Sequence, residues 1–171
     1  KINIVYSGAL GEKQNPSALF DFFSYASQKI DNTVFHFFSE GETLRELARL
    51  NKNKSIIFHS LVEIDNLEEL YSKSDVQVIP QKENTSKGSL PSKLPNILVS
   101  GCKVLLITDA NSEIEKFFMS NNLDTVVTSW DRDVLTEKLS LLIHKEIDAE
   151  RQKLVAKKNF TIDEMILKIL R

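Results

Sequence analysis

The stretch INIVYSGALGEKQNPSALFDFF, residues 2–23, decides the fold class because it joins an apolar strand, a glycine turn and an amphipathic helix. Residues 2–7 form a short run rich in β-branched side chains, which is typical of a buried strand. Pro16 suits the first turn of the following helix. Within residues 16–30 the apolar side chains recur every three or four positions, at Leu19, Phe22, Phe23, Ala26 and Ile30.

The same alternation of strand and helix continues along the rest of the chain. Further strands are predicted at residues 34–38, 55–58, 76–79, 103–108 and 125–127. Helices are predicted at residues 42–51, 67–73, 134–144 and 149–158, with a last apolar segment at 162–170. Gly101 should end one more helix, and Ser112 should start another that runs through Met119. The pattern predicts a doubly wound α/β fold with a mostly parallel, Rossmann-like sheet of six strands.

Composition limits the classes of function. The 171 residues are 42% apolar and 27% charged with a net charge of -2, which gives no general attraction for nucleic acid or membrane. Any anion site must therefore be local. The single cysteine, Cys102, excludes an internal disulfide, and no signal peptide or membrane span is recognised, which favours a cytoplasmic location. Because Lys1 leads straight into a strand, we expect the chain to be part of a longer polypeptide.

Ligands of doubly wound sheets bind beyond the carboxyl ends of the strands, here residues 7–13, 59–62 and 80–93. In the first of these segments Gly8 and Gly11 allow close backbone approach, and Lys13 adds a cation just before a helix. The spacing matches neither a Walker A loop nor G-x-G-x-x-G. Taken alone, this segment is more often a plain glycine turn.

The second basic turn lies in GSLPSKLPNILVSG, residues 88–101. If Ser89 or Ser92 caps the helix, free amides around residues 92–94 would face an anion. Pro95 disfavours helical geometry at the preceding residue, so the regular helix is expected to begin only at Pro95. Each turn alone can be structural, but two of them at one edge of a parallel sheet favour a diphosphate site.

Other candidate sites have plainer explanations. The sequence DRD at residues 131–133 resembles a metal-binding D-x-D, but its place before a helix predicts that Asp131 is a cap. His36, His59 and His144 stand singly, without metal-ligand spacing, so core or surface positions are expected. Cys102 is expected to be a small buried apolar residue. No metal site is predicted.

Three segments together resemble a known family: YSGALGEKQNPSALFDFF at residues 6–23, LEELYSKSDVQVIPQ at 67–81 and LPSKLPNILVSGCKVLLIT at 90–108. Their order and spacing are similar to those of the C-terminal, donor-binding domain of GT-B glycosyltransferases of the family 4 type. The bacterial transferases of colanic acid, capsule and O-antigen synthesis are most alike. The resemblance covers nearly the whole chain, residues 1–171, and implies one lobe of a GT-B fold.

The resemblance assigns roles to particular residues. It implies that Ser60, Leu61 and Val62 hold the base and that Asn96 lies at the ribose. Lys13 and Lys93 would be catalytic, stabilising charge on the leaving diphosphate. The residues implied to contact that diphosphate are Gly8, Lys13, Leu90, Pro91, Ser92 and Lys93.

The sequence also departs from the family pattern. Many members have arginine where this chain has Ala9, and glutamates where it has Gly88 and Asn96. Asn96 can still bind a hydroxyl, but without charge. Because a hydrogen bond to a charged group is worth about 1.5–3 kcal/mol and a neutral one about 1, weaker or rearranged donor binding is expected.

The implied activity is transfer of a sugar from a UDP- or GDP-linked donor to a hydroxyl acceptor in bacterial surface polysaccharide synthesis, with retention of configuration. No metal or cofactor is needed. The acceptor-binding N-terminal lobe is expected outside this chain, so the fragment alone should be inactive. Association with the inner face of the membrane would run through that lobe. No nucleic acid partner is expected.

Two other classes remain open. A sugar-nucleotide epimerase lobe shares the same architecture, and its carboxylates and histidines could lie in the other half. A non-catalytic α/β binding module, such as a receiver, would have the same fold. A receiver needs clustered acidic residues after its first strand, whereas this chain has YSGALG there.

Overall fold

A computed structural model describes residues 1–86, 90–123 and 125–160 of the chain. The strands are β1 (Ile2–Ser7), β2 (Thr33–Ser39), β3 (Ile56–Ser60), β4 (Val76–Pro80), β5 (Lys103–Ile107) and β6 (Val126–Val127). The helices are α1 (Pro16–Lys29), α2 (Glu42–Leu50), α3 (Leu67–Ser72), α4 (Leu94–Ser100), α5 (Glu113–Ser120), α6 (Arg132–His144) and α7 (Ala149–Asn159). Short 3-10 helices precede α1 and α3, at Glu12–Gln14 and Ile64–Asn66.

The six strands form one sheet in the order β3-β2-β1-β4-β5-β6, and all five neighbouring pairs are parallel. The order reverses between β1 and β4, whose pairing aligns Ile4 with Val76. The doubly wound α/β prediction is therefore confirmed. A crevice is expected where the order reverses, beyond the carboxyl ends of these two strands.

Helices cover both faces of the sheet. Side chains of α1, α2 and α6 share one apolar cluster with the face of β1 and β2 that carries Tyr6, Phe35 and Phe37. Side chains of α3, α4, α5 and α7 form the other cluster, against Ile79 and Leu106. Because both faces are covered, the strands are nearly continuous apolar runs, as parallel sheets require.

Three of the predicted helix boundaries have the expected physical cause. The Ser112 hydroxyl accepts the Glu115 amide at 3.1 Å and begins α5. The Asp131 carboxylate accepts the amides of residues 133 and 134 at 2.9 and 3.1 Å, so it caps α6. Gly101 ends α4 with a φ of 75°. The predicted segment 162–170 lies outside the described residues. No helix in the described ranges is long and apolar enough to cross a membrane.

Candidate functional site

A cavity of about 490 Å³ opens at the carboxyl ends of β1 and β4, where the strand order reverses. This volume lies in the range of small-molecule sites. The cavity brings together the glycine turn, the loop after β3, the loop after β4 and the start of α4. Its lining includes Tyr6, Ser7, Gly8, Ala9, Lys13, Gln14, Leu61, Val62, Ile64, Leu67, Tyr71, Ile79, Pro80, Gln81, Thr85, Pro91, Ser92 and Lys93.

The glycine turn after β1 forms one wall of the cavity. Gly8 has a φ of 127°, a conformation that side chains with a Cβ rarely adopt, and its amide donates to the Phe38 carbonyl at 2.9 Å. The Tyr6 hydroxyl donates to the Ala9 carbonyl at 2.5 Å. The Gly11 amide donates to the Gln14 side chain at 2.9 Å. These hydrogen bonds fix the conformation of the turn, and the φ of Gly8 requires glycine at that position.

Lys93 reaches from the start of α4 to the glycine turn. Its Nζ donates to the Ser7 carbonyl at 2.7 Å and lies 4.4 Å from the centre of the Tyr6 ring. Burial lowers the pKa of Lys93 to about 7, because the charged ammonium loses water. Burial therefore weakens the charged form of this side chain relative to an exposed lysine. An anion in the cavity would favour the charged form.

Lys13 approaches the same cavity from the 3-10 helix before α1, and its side chain is exposed. Its backbone carbonyl accepts the amide of Lys82 at 2.7 Å. Lys82 also pairs with the Glu12 carboxylate at 2.8 Å. These contacts join the glycine turn to the loop after β4. Both predicted cations therefore line one cavity.

The start of α4 differs from the prediction in its details. The helix begins at Leu94, one residue earlier than expected, because the Lys93 carbonyl accepts the Ile97 amide at 3.1 Å and Pro95 lies in the first turn, where no amide is needed. The Leu94 amide donates instead to the Pro91 carbonyl at 3.0 Å. That bond also removes Leu94 from the set of amides predicted to be free. Ser92 does not cap the helix, because Lys93 occupies the N-cap position. Residues 87–89, which include Gly88 and Ser89, lie outside the described ranges.

Not every residue assigned by resemblance lines the cavity. Gly8, Lys13, Pro91, Ser92, Lys93, Leu61 and Val62 do. Leu90 instead packs against the second apolar cluster. Asn96 is exposed on α4 and is not among the lining residues. Ser60, exposed at the end of β3, lines an adjacent cavity of about 800 Å³ with Leu61 and Val62.

Several lining residues were not predicted from the sequence. Tyr6 and Tyr71 lie in a strand and a helix, where aromatic side chains are usually core. Gln81 is fixed by Thr108, whose hydroxyl donates to its side chain at 2.6 Å, and by Trp130, whose indole donates to its carbonyl at 3.1 Å. Gln81 could have been identified from the sequence, because it directly follows β4 at the carboxyl end of that strand.

Two of the three histidines, which stand singly in the sequence, meet in the structure. His36 on β2 and His59 on β3 are hydrogen-bonded through Nδ1 and Nε2 at 2.9 Å, and His36 Nε2 contacts the Asn3 side chain at 3.1 Å. Burial, with a smaller repulsion from His59, lowers the pKa of His36 to about 4. His36 lines a separate cavity of about 520 Å³ against α3. The register of β2 and β3, which sequence does not reveal, creates this pair.

The described residues include no group of three or more His, Cys, Asp or Glu side chains that could hold a metal ion. Cys102 is buried, as predicted, and burial raises the pKa of its thiol to about 12. Neither observation adds a catalytic group to the cavity.

Comparisons with known proteins agree with the resemblance seen in the sequence. No protein-family model matches the chain. WcaI of Escherichia coli K12, assigned as a colanic acid biosynthesis glycosyl transferase, is 28% identical over 116 residues, which are 65% of this chain and 28% of that protein. The chain thus spans less than a third of the length of this relative.

Solved structures extend the comparison to the fold. The S. aureus protein TarM, crystallised with UDP, matches 98% of this chain and 34% of its own with a TM-score of 0.77 and 11% identity. The C-terminal domain of LpcC, a group 1 glycosyl transferase of Francisella tularensis, matches 99% of this chain and 86% of its own with a TM-score of 0.65 and 16% identity. The chain therefore has the Rossmann-like fold of a GT-B glycosyltransferase lobe.

Proposed function

We propose that this chain is the nucleotide-sugar-binding lobe of a glycosyltransferase, which transfers a sugar from a nucleoside diphosphate to a hydroxyl acceptor. The observation that carries the proposal is the pair Lys13 and Lys93, which face one cavity beside a glycine turn at the strand-order reversal. Two cations and a turn that admits close backbone approach suit a diphosphate. The fold and the similarity to WcaI support the same reading.

The chemistry would follow from charge. Negative charge grows on the leaving diphosphate as the glycosidic bond breaks, and cations fixed in advance stabilise that transition state most. Lys93 is fixed by its bond to the Ser7 carbonyl, whereas Lys13 is exposed and reaches in from the turn. We therefore assign Lys93 to the transition state and Lys13 mainly to donor binding.

The cavity favours uridine over guanosine as the donor nucleoside. Guanine presents N-H donors along its pairing edge, and proteins commonly meet such donors with a carboxylate. Among the described residues that line the 490 Å³ cavity none is acidic, and the loop after β3 contributes Leu61, Val62 and Ile64 to it, whereas Glu63 of the same loop lines only the adjacent cavity. TarM was crystallised with UDP. These observations favour a UDP-sugar, with the base against the loop after β3.

The remaining parts of the proposal concern the whole protein. An N-terminal lobe would bind the acceptor and close over the donor, and the reaction would retain anomeric configuration. The similarity to WcaI favours a role in bacterial surface polysaccharide synthesis, at the inner face of the membrane. A ribose contact by Asn96, which is exposed on α4, would require the donor to extend beyond the described lining of the cavity.

Calorimetric titration of the 171-residue chain with UDP, UMP and GDP tests the proposal. We expect UDP to bind at least tenfold more tightly than UMP, since the β-phosphate adds contacts to charged groups. Lys13→Met and Lys93→Met should each remove most of that difference. Lys116→Met, on the exposed face of α5, is the matched control and should change nothing. Equal binding of UDP and UMP, or no binding of any nucleotide, would contradict the proposal.

A further inference from the structure

Tyr6, in the cavity wall, contacts both the Lys93 ammonium and the glycine turn. Its ring lies 4.4 Å from the Lys93 ammonium, and its hydroxyl donates to the Ala9 carbonyl in the glycine turn. A Cβ placed on Gly8 would lie 3.8 Å from both the Tyr6 hydroxyl and the Lys93 Nζ. The Tyr6 side chain, the Lys93 ammonium and the glycine turn therefore meet at one place, and Tyr6 contacts both the ammonium and the turn.

The Tyr6 side chain is itself held rigidly. It is 1% exposed, and its ring packs on Phe37 with 6.1 Å between centroids, while Phe37 packs on Phe23 at 5.0 Å. Burial raises the pKa of the Tyr6 phenol, so the hydroxyl remains a donor at neutral pH. The ring thus presents a fixed, electron-rich face to the ammonium. Core packing alone requires neither the hydroxyl contact nor the ammonium above the ring.

We infer that Tyr6 is a positioning residue for nucleotide binding: its ring holds the Lys93 ammonium at the diphosphate position, and its hydroxyl braces the glycine turn through Ala9. The inference rests on the proposed function, because it assigns Tyr6 a task at that site. The ring acts only through Lys93. The hydroxyl acts on the turn whether or not Lys93 is present.

Comparison of Tyr6→Phe with Tyr6→Leu isolates the ring, since neither variant keeps the hydroxyl. We expect UDP affinity to be about tenfold weaker in Tyr6→Leu than in Tyr6→Phe, as a partly desolvated cation-π contact predicts. In a Lys93→Met background the same comparison should differ by less than twofold. Phe35→Leu, a fully buried change on the neighbouring strand outside the cavity lining, should have the same effect in both backgrounds.

If the difference in UDP affinity between Tyr6→Leu and Tyr6→Phe were equally large with and without Lys93, the inference would be overturned, because the Tyr6 ring would then contribute only to core packing. If Tyr6→Leu does not fold, a series of phenylalanines with increasing ring fluorination at position 6 replaces it. Fluorination keeps the shape and weakens the negative ring face, so UDP affinity should fall with each fluorine. Affinity independent of fluorination would equally overturn it.

A measurement without nucleotide separates this inference from the proposed function. In NMR spectra the Lys93 ε-methylene protons, identified by their loss in Lys93→Met, should be shifted upfield by the Tyr6 ring. Tyr6→Phe should keep the shift and Tyr6→Leu should abolish it. If the shift behaves in this way but UDP and GDP do not bind, the proposed function fails while the placement of Lys93 stands. An unshifted resonance in the wild-type chain refutes the placement itself.

Discussion

Lys93→Met should raise the free energy of unfolding and lower the affinity for UDP. Methionine has a similar length but removes an ammonium whose burial lowers its pKa from an ordinary value of about 10.4 to about 7. Taking one charged side chain out of water costs several kcal/mol of stability, and methionine avoids that cost. The bond to the Ser7 carbonyl and the contact with the Tyr6 ring are lost as well, so we expect a net gain of about 1–3 kcal/mol in the free energy of unfolding at pH 7.

The pH dependence has a defined sign. Between pH 7 and about 10.4 the unfolded chain binds more protons at Lys93 than the folded chain, so the wild-type protein becomes more stable as the pH rises through this window. Lys93→Met lacks this contribution. The stability advantage of the variant should therefore be largest near pH 7 and shrink toward pH 10. UDP affinity should fall about 10- to 100-fold, as for the loss of one charged hydrogen bond.

Urea unfolding followed by circular dichroism, repeated from pH 7 to pH 10, measures the first effect, and calorimetric titration with UDP measures the second. Lys13→Met is the matched control, since its exposed side chain should leave the free energy of unfolding within about 0.5 kcal/mol while weakening UDP binding. A Lys93→Met chain less stable than wild type at pH 7, with a difference constant up to pH 10, would refute the reasoning.

Three further outcomes are expected. Gly8→Ala should lower the free energy of unfolding by about 1–3 kcal/mol in urea, because the φ of 127° is strained for alanine, whereas Gly11→Ala, at a φ of -88°, should cost less. The free energy of unfolding of the wild-type chain should fall by about 1–2 kcal/mol as the pH falls from about 6.5 to about 4. Burial and His59 lower the pKa of His36, so in this range the unfolded chain binds the proton more readily. A His36→Gln chain whose stability falls with the same slope would contradict this. Asp131→Ala should cost about 1 kcal/mol in thermal or urea unfolding by removing the α6 cap, and a change in UDP affinity would show that the residue does more than cap.

The fold was predictable because each of its signals is local. The period of three and four in residues 16–30 and the short apolar runs reflect burial on one helix face and on both sheet faces, and these do not depend on which elements meet. Ser112, Asp131 and Gly101 act within one or two turns of chain, so their roles as helix ends were readable in advance. The start of α4 was predicted one residue too late. Pro95 was expected to keep Leu94 out of helical geometry, but the Leu94 amide closes a turn on the Pro91 carbonyl.

The candidate site was predictable only where glycine, lysine or proline marked a strand end. Gly8, Lys13, Ser92 and Lys93 stand in such turns and do line one cavity. Asn96 and Leu90 were assigned by resemblance alone. Asn96 lies outside the cavity lining because successive residues of α4 face different sides of the helix, whereas Leu90 precedes α4 and packs against the second apolar cluster.

The sequence by itself determined the doubly wound α/β fold and the two basic turns, since both depend on residue type and local spacing. Only the tertiary structure decided that Lys93 reaches the Ser7 carbonyl across 86 residues of chain, that Tyr6 lies beneath its ammonium and that His36 pairs with His59. Strand order and register bring these groups together, and the burial that results sets their charge. Strand order, register and burial depend on contacts between distant segments, so no single segment of the sequence determines them.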